Sequence, residues 1–214
     1  MSKNKALEYL KRNPEALIIA AARKRLLNFA RYMQVDFDAD EFHVNYYRVL
    51  DLFAQGYIRK LIVQAPPQHG KSQGSSRFLP AYLLGRDPDK KICIGSYAAT
   101  VAQDFNRDVQ RIIDTERYNK VFPDTYLNGS NVVTVANNYL RNSTVFETVG
   151  HKGSLRVVGR GGALTGKTVD VAILDDVYKD YAEGNSSIVR ESAWKWYTKV
   201  VRTRLHNRSQ QLLV

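Results

Sequence analysis

The stretch at residues 65–72, A-P-P-Q-H-G-K-S, constrains this chain more than any other. It follows the apolar run Leu61-Ile62-Val63 and precedes a helical pattern from Ser72 to Leu84. A strand, a glycine-bearing turn and a helix in that order make a phosphate cradle. Backbone N–H groups curl around the anion, a lysine adds charge, and a hydroxyl ligates a divalent cation. Gly70, Lys71 and Ser72 fit the end of the G-x-x-x-x-G-K-[ST] pattern, with Pro67, Gln68 and His69 leading into them. Ala65 stands where the first glycine belongs, with Pro66 and Pro67 behind it. Alanine serves there if the chain leaves the strand without positive φ, and prolines stiffen the loop. Gly-Lys-Ser alone recurs by chance; its place at a strand-to-helix junction favours a nucleotide site.

A phosphate loop also needs a strand ending in carboxylates, to hold Mg²⁺ and orient the attacking water. Val171-Ala172-Ile173-Leu174-Asp175-Asp176 supplies one. Its apolar residues belong inside a sheet and put Asp175 at the C-terminal end, within reach of magnesium through water. Asp176 follows where many such enzymes carry Glu as the water-polarising base. The competing reading is a strand-end turn with two solvated acids.

The rest of the chain supplies a frame. Asn13-Pro14-Glu15 begins a helix expected to run to about Met33, and a second runs from Asp40 to Gly56 with Phe42, Tyr46, Val49, Leu50 and Phe53 on one face. Strands at Lys60–Gln64 and Lys91–Ser96, helices over residues 72–84 and 98–113, and the strand before Asp175 argue for a parallel sheet with helices on its faces. Asn128 to Gly162, including Asn131–Val135, reads as a hairpin-like insertion. Ile188 to about Thr203 reads as a long helix, and the chain stops partway into a further strand at Gln210–Val214. With 214 residues the chain can bury a substantial core, and its longest apolar run, residues 16–22, is too short to span a bilayer. The single Cys93 precludes an internal disulfide and fits a reducing cytoplasm. A net charge of +11, spread along the chain, points to a polyanionic partner.

In this order the motifs resemble the ATPase part of a tailed-bacteriophage terminase large subunit. The residues that carry the likeness are A-P-P-Q-H-G-K-S with Phe42-His43 and the segment 56–62 before it, then 84–89, Ser96-Tyr97, Val121-Phe122-Pro123 and 161–166. Leu174-Asp175-Asp176, the segment 194–197 and Thr203-Arg204-Leu205 complete the set. The resemblance covers roughly residues 40–214. It implies a three-layer α/β P-loop NTPase of the additional-strand (ASCE) type, with a mostly parallel central sheet and an N-terminal helical cap. Residues 1–56 would be the helical subdomain and 57–214 the ATPase core, cut before a coupling motif and a nuclease domain.

Carried over residue by residue, the likeness makes Lys71 the phosphate-binding lysine, Ser72 and Asp175 the magnesium pair, and Asp176 the catalytic acid. Pro67, Gln68, His69 and Gly70 complete the ATP-binding loop. His43 falls where related motors often carry an adenine-reading Gln, and a structural histidine is the equal alternative. For the arginine finger, Arg160 is the first candidate, then Arg156, with Lys167 behind them; an ordinary surface arginine is the alternative for each. The implied cofactors are ATP and Mg²⁺. The implied partners are double-stranded DNA, a portal, a small terminase subunit and further copies in a ring, in the host cell cytoplasm. Two other readings stay open: a helicase-like DNA-dependent ATPase, and a nucleotide-dependent DNA-binding module with little turnover. Trp194, Trp196 and Tyr197, at helical spacing, are expected in the core; Arg202, Arg204 and Arg208 are expected at a solvated helix end.

Overall fold

A buried carboxylate, Asp51, decides how the chain begins in the computed structural model, which describes residues 13–130, 138–164, 166 and 168–214. The predicted single helix to Met33 is instead two, α1 (Pro14–Lys24) and α2 (Leu26–Met33), broken at an extended Arg25. Asp51, only 4% exposed, takes the Leu26 N–H at 3.0 Å and the Arg25 guanidinium at 3.1 Å. A buried carboxylate needs such donors, and a helix N-terminus offers free N–H groups and a favourable dipole. Asp51 sits on α3 (Glu41–Ala54), so the break in one helix is made by a residue on another. Asp40 caps α3 by accepting the His43 N–H, and Gly56 turns the chain out of it at φ +84. Tyr46, Leu50 and Phe53 are buried as their spacing predicts, and Tyr47 joins them.

Six strands make one sheet in the order β1-β6-β5-β2-β4-β3. They are β1 (Lys60–Ile62), β2 (Lys91–Ser96), β3 (Val145–Glu147), β4 (Ser154–Gly159), β5 (Val169–Leu174) and β6 (Leu205–Leu213). All pair parallel except the edge pair β3–β4. The hairpin expected between Asn128 and Gly162 exists as β3 and β4, but it is no insertion, because β4 pairs with β2 in the main sheet. The Asn131–Val135 stretch lies outside the described residues. β6 starts earlier than predicted and slots between the loop-bearing β1 and the carboxylate-bearing β5.

Helices cover both faces. On one, α1–α3, α4 (Leu79–Arg86), α5 (Ala99–Ile113) and α6 (Glu116–Val121) share a core with Ile92, Ile94, Leu155, Val171 and Ile173. On the other, beyond the short α7 (Tyr181–Asn185), α8 (Ser187–Trp196) sets Trp196 against Cys93 and Ala172. Trp196 is 5% exposed and Trp194 is 61% exposed, which corrects the expectation of a shared core position. Two residues along a helix turn by about 200°, so both cannot face the sheet. No helix among the described residues is long and apolar enough to cross a membrane.

Candidate nucleotide site

The loop leaves β1 after Val63, whose N–H still bonds the Leu213 carbonyl of β6. It then curls through two left-handed residues, Gln68 at φ 64 and Gly70 at φ 69. Gly70 supplies that conformation without strain, whereas Gln68 carries a modest cost. Ala65 is not among the positive-φ residues, so the missing glycine is not required there. Its carbonyl is what the loop uses: Lys71 Nζ donates to Ala65 O at 2.5 Å and to Pro66 O at 3.4 Å. The lysine thus folds across its own loop, beside exposed Pro66, Pro67, Gln68 and His69.

Ser72, at the start of the following helix, meets the end of β5. Its Oγ donates to Asp175 Oδ1 at 3.2 Å across 103 positions of sequence. Asp175 is fully buried, and burial pushes its carboxyl above the usual carboxylate range, against the pull of the Ser76 and Ser72 hydroxyls. A hydroxyl beside one carboxylate fits magnesium, a hard cation usually held by one or two carboxylates together with substrate phosphates. Among the described residues no group of three or more His, Cys, Asp or Glu gathers that could hold a metal. A cation here would complete its shell with water and substrate oxygens.

Asp176 behaves differently. It is exposed, with φ 48, and its carbonyl is tied to β2 through the Tyr97 N–H at 2.8 Å and Ser96 Oγ at 3.3 Å. That left-handed turn separates two consecutive carboxylates into one buried and one open to solvent. Arg160 follows the end of β4, with its N–H on Ser96 O. Its side chain lies against its own chain. Nη1 donates to Val177 O and to Glu183 Oε2, each at 2.9 Å, with the guanidinium 6.0 Å from the Tyr178 ring. Arg156 lies within β4 and lines a cavity at the far end of the sheet, and Lys167 lies outside the described residues. His43 stands against the loop: its Nε2 is 3.5 Å from where a Cβ on Gly70 would be, while its Nδ1 pairs with Asp40 at 2.7 Å.

The family model for the N-terminal part of the terminase large subunit, T4likevirus-type, matches residues 62–209, from the last residue of β1 to the middle of β6. The chain belongs to the terminase large subunit family. The sheet with β6 between β1 and β5 is the additional-strand P-loop fold of that family's ATPase domains. Among solved structures, the HK97 bacteriophage large terminase superposes with a TM-score of 0.51 at 12% identity, covering 83% of this chain and 33% of that one. The large terminase ATPase domain of Thermus phage P74-26, as a mutant, gives 0.46 at 17% identity over 83% of this chain and 64% of that one. This chain therefore spans about a third of the length of the HK97 protein. No curated protein matches it.

Ser76, Ser75 and a site contact of Tyr46 add to the residues that the motifs of this terminase domain point to. Ser76 lies one turn beyond Ser72, and its hydroxyl donates to the other carboxylate oxygen, Asp175 Oδ2. The helix is π-wound over Gln73–Phe78, and Ser75 beside it turns back to Lys71 O at 2.8 Å. Tyr46 reaches from α3 to the same Lys71 carbonyl at 2.7 Å. Its ring lies so close to Gly74 that a Cβ there would come within 2.7 Å of it, so glycine is required for the contact. The sequence signal for Ser76 was the four-residue offset from Ser72, which places both hydroxyls on one helix face.

Proposed function

We propose that this domain hydrolyses ATP to translocate viral double-stranded DNA into a procapsid, as the motor of a packaging machine. The observation that carries the reading is the meeting of Ser72 with the buried Asp175 beside a lysine-closed loop. Phosphoryl transfer needs little covalent chemistry from a protein; positioning and charge stabilisation do most of it. Lys71 would leave the Ala65 carbonyl to face the β- and γ-phosphates, while residues 67–72 bind the phosphates through the backbone. His43, against Gly70, would face the nucleotide. Ser72 and Asp175 would hold Mg²⁺, which when bound neutralises charge developing on the phosphate oxygens. Exposed Asp176 would orient the attacking water.

Arg160 would complete the site of a neighbouring copy in a ring. To reach a neighbour it would first leave Glu183 and the Val177 carbonyl. The working assembly would engage a portal and a small terminase subunit in the host cytoplasm. Turnover measured on the isolated and the DNA-bound protein tests this reading. DNA-stimulated hydrolysis supports it, while nucleotide binding without turnover in either state would favour a nucleotide-dependent DNA-binding module.

A further inference from the structure

The second face of the sheet changes character along its length. Under α8 it is apolar, with Cys93, Ala172, Trp196 and Val201 in one buried cluster. Toward the N-terminal ends of β2 and β4 it opens into a cavity of about 220 Å³ lined by Lys91, Glu147, Lys152, Ser154, Arg156 and Thr168, with Cys93 at its floor. Strand register explains the grouping: Lys91 pairs with Ser154, Cys93 with Arg156, and Glu147 with Ser154. Residues opposite one another in a sheet share a face, so these side chains converge.

The charges do not balance. Three cations meet one carboxylate, and Glu147 Oε2 already accepts the Leu140 N–H at 3.1 Å. Lys91 Nζ reaches Thr168 Oγ1 at 3.5 Å, a long contact. Arg156 Nε is buried with no hydrogen-bond partner. A guanidinium cannot shed its proton, so an N–H on it without a partner leaves positive charge uncompensated beside the cavity. A water occupies about 30 Å³, so the cavity has room for a tetrahedral oxyanion. It lies at the start of the strands, roughly 17 Å by strand rise from their C-terminal ends, where Ser72 and Asp175 meet.

We infer that this cavity is a second phosphate-group site, separate from the nucleotide loop, with the half-buried Arg156 as its anchor and Lys91 and Lys152 as its charged walls. The phosphate would be a phosphodiester of the DNA backbone or a free phosphate. Arg156→Gln and Lys152→Gln distinguish these, each compared with the unaltered protein. In one arm a short labelled duplex is titrated over a salt series by fluorescence anisotropy. A backbone site predicts weaker binding in both variants, with the slope of log affinity against log salt reduced by about one. In the other arm thermal unfolding is followed with increasing inorganic phosphate. A free-phosphate site predicts a stabilisation that both variants lose while their ADP affinity stays unchanged. Lys152→Gln, on the exposed rim, decides the matter should Arg156→Gln fail to fold. Duplex affinity, salt slope and phosphate stabilisation all unchanged in the folded variants would overturn the inference.

Discussion

The two halves of the sheet's C-terminal edge are built to different standards. At β1 and β5 the groups are preassembled: Lys71 closes its loop, and Ser72 and Ser76 grip the two oxygens of a fully buried carboxylate. Beyond them they are not: Asp176, one residue past Asp175, is exposed, and Arg160, past the end of β4, is spent on Glu183 of its own chain. Burial explains the contrast. A carboxylate taken out of water must be hydrogen-bonded, so Asp175 fixes its surroundings, whereas Asp176, open to solvent, is under no such demand. The first half has the rigidity expected of a binding site. The second would have to rearrange before Arg160 could act on another copy.

The largest effect should come from breaking the assembled half. Lys71→Ala removes the charge proposed to face the phosphates and should abolish turnover, weakening nucleotide binding by about 1.5–3 kcal/mol in titration calorimetry. Turnover at the unaltered rate would place the active site elsewhere. Asp176→Asn strikes the loose half, and should slow hydrolysis by roughly two to four orders of magnitude with ATP binding nearly intact. Asp176→Glu should be tolerated. Equal loss of ATP binding in Asp175→Asn and Asp176→Asn would erase the division between the two acids.

Asp175→Asn sharpens the comparison through pH. Because burial raises its carboxyl pKa in the folded state, Asp175 contributes stability that is full below its unfolded pKa and lost as pH rises through the folded one. The Asn variant should therefore withstand urea at least as well as the parent at neutral pH, while needing more magnesium for turnover. A lower urea midpoint at neutral pH would mean that the charged form is favoured there. Ser76→Ala should cost about 1–3 kcal/mol in urea unfolding, because one oxygen of a buried carboxylate loses its donor. Ser76→Thr should restore most of it, and an unchanged midpoint would show that Ser76 does not hold Asp175.

The smallest effect belongs to Glu183. Its carboxyl sits below the usual range, first because of the bond from Arg160 and then the Lys179 N–H. Whatever stability it gives is present above its unfolded pKa and lost as pH falls through the depressed folded value. Glu183→Gln should flatten that acid-side loss slightly, and an acid limb identical to the parent's would show that the pair with Arg160 adds nothing in solution.

Legibility in the sequence followed the range of the interaction. The β5 strand, the Asp40 cap of α3 and the turn into Ser72 rest on neighbours in sequence, and each was readable there. The break at Arg25 was not, because its cause lies on Asp51, a helix away. Nor was the place of β6, since pairing with β1 and β5 joins segments far apart in the chain. At the site, Ser72 and Asp175 could be matched by pattern. Ser76 depended on which oxygen of Asp175 remained free, and Arg160 on a glutamate in a segment that carries no motif.

In the proposed ring, Arg160 of one copy would complete the nucleotide site of the next. Mixing Arg160→Ala chains with Lys71→Ala chains under conditions that assemble a ring, and measuring ATP turnover, tests it most directly. Some mixed interfaces would pair an intact loop with an intact arginine, so turnover should rise above the sum of the two variants measured alone. Mixtures no more active than that sum, or Arg160→Ala rings turning over at the unaltered rate, would contradict it.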